Sequence, residues 1–242
     1  MKRVLTVCTI VIWTAVVGAH ASVSVNLPFS KDSYINSGQP DRNFGGTVQF
    51  QSQGTTRRGL FAFDINTTLV PGPVEAVDIL LTATNTGGTT SSTHTLYALT
   101  RAWVEGQDTT GPNPAILGVT WNNANAAGPV PWTTPGGDYD PTPLGSITFP
   151  GSMTVGTQYT LSLNPTGVAL VEQWRTGAAA NHGFILMNTA GNTSGYFFAS
   201  ITPPANTTPS SALITYVPEP AALGTLALAA LALGRRRRPA TL

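Results

Sequence analysis

The sequence predicts an all-β fold: a jelly-roll-type β-sandwich with one short helix, flanked by a cleavable N-terminal signal peptide and a C-terminal transmembrane helix. Three observations carry this prediction. Apolar residues alternate at period two through most of the chain, as strands with one buried face require. Clusters of Gly, Pro, Asn and Thr punctuate those runs, which is turn chemistry. Each end carries an apolar run beside basic residues, a pattern of export and membrane targeting rather than of a folded core.

The elements follow in order. Met1-Lys2-Arg3 leads an apolar run from Val4 to Gly18, and Ala19-His20-Ala21 closes it. A basic start, a short apolar stretch and a small-x-small site mark residues 1–21 as a signal peptide, cut by signal peptidase after Ala21. An uncleaved anchor fits less well, because the run is short for a bilayer span and ends at a cleavage pattern. Residues 22–216 form the domain. Strands are expected at Val23–Leu27, Thr47–Gln51, around Phe61, Phe63 and Ile65, and along Val77, Ile79, Leu81 and Ala83. Others are expected at Thr95–Leu99, Ser146–Phe149, Tyr159–Leu163, Gly183–Met187, Gly195–Ile201 and Leu213–Val217. Asn85–Ser92 and Gly111–Pro114 read as loops. Many short strands so punctuated indicate a sandwich or jelly roll. One helix is expected after Asn164, which can cap it, with Pro165 at its first position and Gly177 at its end. Its Val168, Val171 and Trp174 share a face, so it should plug one edge or end of the sandwich. Trp121 to Pro143 is a long loop rich in Gly and Pro, a kind of segment that is often functional.

The tail spans residues 217–242. Val217-Pro218-Glu219-Pro220 precedes an apolar stretch, Ala221 to Gly234, and then Arg235, Arg236, Arg237 and Arg238. As a helix this stretch is about 21 Å long, short against a hydrocarbon core of about 30 Å. The four arginines should stay in the cytoplasm, which leaves the domain outside and the chain transiently anchored in the inner membrane. The order Pro218-Glu219-Pro220, apolar helix, arginine cluster resembles the PEP-CTERM sorting signal. That resemblance implies removal by an exosortase-type protease in a bacterium that makes exopolysaccharide, and a cell-surface or extracellular destination. A retained anchor would give the same compartment and a different end state.

Between the two ends, six basic residues face ten acidic ones, so the domain carries −4 although the whole chain is formally +1. A nucleic-acid binder would need a basic face, so nucleic acid is not an expected partner. The only cysteine, Cys8, lies in the signal peptide. Disulfides therefore do not staple the domain, which is long enough to bury one core without them.

A series of segments resembles, in order, the DNRLRE-domain family, relatives of carbohydrate-binding modules found beside polysaccharide lyases. The segments are Asp32-Ser33-Tyr34-Ile35 with Asn43-Phe44-Gly45, then Arg58 to Asp64, Trp103-Val104-Glu105 and Val119-Thr120-Trp121-Asn122. Gly136-Gly137-Asp138-Tyr139-Asp140, Leu161 to Trp174, and Asn181-His182-Gly183-Phe184 complete it. The hexapeptide that names the family is absent from this chain. The resemblance implies a non-catalytic jelly-roll-type sandwich on an exported protein.

The residue chemistry points the same way. Only His94 and His182 survive processing. Neither sits in a nucleophile elbow, a metalloprotease helix or a cysteine metal motif, so both are expected to be structural and no catalytic residue is assigned. Asp138 and Asp140 stand two apart on a Gly-rich loop, which suits cation binding or turn stabilisation better than the divided acid/base labour of a glycosidase pair. Such oxygens suit calcium, with Asp32, Asp41 or Asn43 as ligands elsewhere, or simple Asx-turn stabilisation. Sugar rings stack on flat aromatic faces, and Trp121, Trp132 and Tyr139 of the long loop are the candidates; Trp103 and Trp174 belong to the core. The functions in competition are an extracellular polysaccharide binder, a purely structural or adhesive surface protein, and a polysaccharide-degrading enzyme. The last has no catalytic apparatus in its favour.

Overall fold

The computed structural model describes residues 21–108, 115 and 117–218. The signal peptide up to His20, the Gly111–Pro114 cluster, and the tail from Glu219 and Pro220 through Arg235–Arg238 lie outside the described residues. Among the described residues no helix is long and apolar enough to cross a membrane.

The chain runs β1 (Val23–Asn36), β2 (Gln49–Gln53), β3 (Arg57–Phe63), β4 (Val74–Thr82), β5 (Ser92–Ala98), β6 (Asn123–Asn125), β7 (Val130–Pro131), β8 (Gly145–Phe149), β9 (Gln158–Ser162), α1 (Pro165–Thr176), β10 (Phe184–Asn188), β11 (Gly195–Ala199) and β12 (Ser211–Tyr216). All named pairings are antiparallel. The fold is all-β with one short helix, and two layers share β1. Residues Val23–Pro28 of β1 pair with β12, and β12 continues to β4 and β9. The register then shifts at a bulge between Phe29 and Lys31. Past it, β1 pairs with β3, followed by β10, β5 and β8. The bulge bends the strand from one layer into the other. This is why β1 runs 14 residues, well beyond the short strand its alternation predicts. At the far ends Asn164 N–H donates to the Leu144 carbonyl at 2.7 Å, which draws β8 towards β9 and nearly closes the sheet.

The main core lies between the layers and is dominated by rings. Phe29 stacks on Phe61 at 4.5 Å, Phe61 meets Phe184 at 5.8 Å, and Trp174 of α1 meets Phe184 at 4.9 Å. The helix is built as its sequence dictates. Asn164 Oδ1 accepts from Gly167 N–H at 3.0 Å, Pro165 opens the first turn, and Gly177 ends the helix at φ 73°. That left-handed conformation favours glycine. Val171 and Trp174 are buried, Val168 partly.

A second apolar cluster lies on the opposite face of the β3–β10–β5 layer. Ile35, Leu60, Leu99, Ile185 and Met187 project there, and Trp103, Val119, Ala124 and Trp132 cover them. The covering residues come from the stretch between β5 and β8. The Gly- and Pro-rich segment expected as an open loop is thus the roof of a core. Within it β6 and β7 form a small hairpin, with Asn123 opposite Pro131.

Candidate functional site

The roof meets the sheet at a rim, and a depression of about 530 Å³ opens there. Its lining includes Arg58, Thr100, Arg101, Thr133, Asp138 and Tyr139. Each is placed by a different local device. Arg58 sits at the start of β3, on the same outward face as Leu60. Thr100 and Arg101 follow β5, where Thr100 N–H donates to the Asp138 carbonyl and Asp140 N–H to the Ala98 carbonyl. These bonds hold Leu99 opposite Tyr139 in a single antiparallel bridge. Gly136, at φ 101°, makes the turn that brings the chain there. A Cβ at Gly136 would lie 2.8 Å from an Arg58 guanidinium nitrogen and 2.9 Å from the Trp121 ring. The backbone has to come this close, because Arg58 donates to the Gly136 carbonyl at 2.6 Å.

The electrostatics of the rim are mixed, with positive charge in excess. The Arg58 guanidinium lies 4.8 Å from the Trp121 ring centre and 5.9 Å from that of Tyr139, and burial lowers its pKa while Tyr139 opposes the shift. Tyr97 supports Tyr139 from below at 5.4 Å. Arg101 Nε pairs with Asp138 Oδ2 at 2.9 Å, and its other nitrogens donate to the Pro131 carbonyl and Thr133 Oγ1. Asp138 also accepts from Thr133 N–H, Thr133 Oγ1 and Thr134 N–H. Burial works to raise the Asp138 pKa. The Thr133 and Thr134 donors and the Arg101 charge outweigh it and hold the carboxyl below its ordinary range.

The sequence-predicted residues separate into three kinds of place. Tyr139 is half-buried and lines the depression, and its hydroxyl has no hydrogen-bond partner among the described residues. Trp121 is half-buried beside it, with one face given to Arg58. Trp132 is corrected. It is 4 % exposed, packed in the roof cluster, with Nε1 donating to the Thr120 carbonyl at 2.9 Å. The β6–β7 hairpin folds its ring onto the sheet, so it offers no face to a sugar. Trp103 and Trp174 are in the cores, as expected.

Asp138 and Asp140 do not converge. They line different depressions, and Asp140 Oδ1 accepts from Thr142 N–H at 2.8 Å in an Asx-type turn. With Asp138 engaged by Arg101 and its own loop, the geometry fits turn stabilisation better than the calcium site the spacing suggests. Asp32 is buried against Ile201 N–H, Asp41 binds the Asn122 amide, and Asn43 ties three backbone segments together. Among the described residues no group of three or more His, Cys, Asp or Glu gathers that could hold a metal ion.

The two histidines sit in different surroundings. His94 is fully buried between Phe149 and Tyr196, with Nδ1 2.8 Å from Ser52 Oγ, and burial pulls its pKa down to about 3. The His182 carbonyl receives Trp103 Nε1. Sequence reasoning missed Arg101 and Thr100 as rim residues. The signal that could have found them is weak: two polar residues at the end of an apolar strand, shortly before Trp103.

A family model described as Carbohydrate-binding module family 96 matches residues 23–134, just under half of the chain. The match includes Arg58, Thr100, Arg101 and Thr133 and stops before Asp138 and Tyr139. No curated protein matches the chain.

Proposed function

We propose that this chain is a non-catalytic, exported cell-surface or extracellular-matrix protein that binds polysaccharide through the depression between Arg58, Arg101 and Tyr139. One observation carries the reading: a half-buried tyrosine face stands beside two guanidinium groups in an open depression within a module-like β-sandwich. A pyranose ring can lie on the tyrosine while its hydroxyls or a carboxylate meet the arginines, the threonine hydroxyls and Asp138. The likeness to a carbohydrate-binding module family supports binding rather than turnover. Two guanidinium groups against one carboxylate favour glycans that carry carboxylates, despite the domain charge of −4. We take the connection of the layers to be of jelly-roll type and the domain to be of the DNRLRE kind. Signal peptidase would release it after Ala21, and an exosortase-type protease would act on the Pro218-Glu219-Pro220 tail.

Retardation in native gels cast with the host's exopolysaccharide tests the reading. Stacking on one ring contributes on the order of 1–2 kcal/mol, so Tyr139→Ala should weaken retention about fivefold to thirtyfold while the melting curve stays near that of the parent. Arg58→Gln should weaken it too, and more so at low salt. An unretarded parent protein would leave a structural or adhesive role in its place.

A further inference from the structure

We infer that a second depression next to the first selects an uncharged sugar, so that the groove reads a polysaccharide in which an acidic unit adjoins a neutral one. The inference rests on the reading of the Arg58–Tyr139 depression as a glycan site. The second depression, about 360 Å³, opens between α1 and the segment from Asp140 to Leu144. Thr100 lines both depressions. Asp138 lines the first and Asp140 the second, two residues on along a stretch held extended by its bonds to Ala98 and Thr100. Two extended residues span about 7 Å, of the order of one sugar ring, so neighbouring units of one chain can occupy neighbouring depressions.

The two linings differ in charge. The first sets two guanidinium groups against one carboxylate. In the second, Asp140 is the only acidic or basic side chain apart from His182, and burial, then the nearby Lys31 charge, lower the His182 pKa and keep the ring neutral at physiological pH. Asp140 is exposed, and the Thr142 N–H bond holds its carboxyl in the charged form. A uronate placed there would meet a like charge at short range, whereas the hydroxyls of a neutral sugar would find an acceptor. Gln173, Thr100 and Thr166 line the same depression, and their side chains make no hydrogen bond to the described residues. Leu170 and Ala169 supply apolar surface for the ring's C–H face.

Calorimetric titration of protein purified from its own host tests this with three hexasaccharide probes. A hyaluronan hexasaccharide alternates acidic and neutral units, an oligogalacturonide is acidic throughout, and cellohexaose is neutral throughout. The alternating probe should bind about tenfold more tightly than either of the others, as one extra net hydrogen-bonded contact would give. Gln173→Ala should reduce that preference. Asp140→Lys should shift it towards the oligogalacturonide, with Asp140→Asn as a milder variant and melting curves as the check on folding. Equal affinity for the alternating and the fully acidic probes, or a preference indifferent to Asp140→Lys, would overturn the second subsite and leave the first standing. Absence of binding to all three would overturn both.

Discussion

Trp132 and Tyr139 come from one Gly-rich segment, yet they do opposite work. Trp132 fills the roof cluster and gives its indole N–H to Thr120. Trp132→Ala should therefore cost about 3–5 kcal/mol, read as a lowered urea midpoint, and should affect binding only through folding. Tyr139→Ala removes a ring that faces the depression, so its effect should fall on binding. Asp32 makes a different kind of prediction. It is 2 % exposed; burial raises its pKa to about 7, its bond from Ile201 N–H opposes the shift, and the Glu105 charge adds to it. Because the folded state keeps this proton to a higher pH than the unfolded state, the group favours folding in acid. That contribution is lost as pH rises from the ordinary carboxylate range towards 7. Glu105, raised mainly by burial, acts with the same sign. Urea midpoints at pH 5 and pH 8 should differ in favour of pH 5 through this contribution, and Asp32→Asn should shrink the difference. A gap unchanged by the substitution would count against Asp32 as its source.

Among the elements, α1 was the most legible. Cap, first-turn proline and terminal glycine all sit where the sequence puts them, and Asn164→Ala should cost about 1 kcal/mol, measured by thermal denaturation. The strands of the β4 layer were legible because one face is buried and the other wet, as Val77, Ile79 and Leu81 show. The roof was not. Its residues obey neither the strand nor the helix period, because they are held by scattered polar bonds. Asn43 alone donates to the Glu105 and Val119 carbonyls and accepts from Gly45 and Asp108 N–H. Lys31 adds a bond to the Trp103 carbonyl and lies over its ring at 4.3 Å. No local pattern announces a buried asparagine that joins segments more than sixty residues apart. One hint was present in β10, whose Phe-Ile-Leu-Met run is apolar on both faces. A strand of that kind is covered on both sides, and in a single sandwich the second cover has to come from a loop. The candidate site was half legible for the same reason. Tyr139 and its glycines stand in one motif, while Arg58 and Arg101 reach it only through the fold.

On the scale of the whole molecule, the arginines of the rim lie on one layer, while Glu75 and Asp78 occupy the β4 strand of the other. If the rim holds an acidic polymer, its retention should fall with added salt. The two ends make a separate prediction. Intact-mass measurement of surface-extracted protein should give a species that begins near Ser22 and lacks Arg235–Arg238, and a mass retaining both ends would refute the sorting reading. The bend in β1 has a bearing on how such a protein is made. Its second half finds β3 within a few dozen residues, but its first half must wait for β12, with Val23 opposite Tyr216. A polypeptide made from its N-terminus therefore delivers half a strand early and that half's neighbour late. Pairing over such separations is slow. Until β12 has been made, the edge of β1 that it will cover stays an open seam, with Leu27 on it.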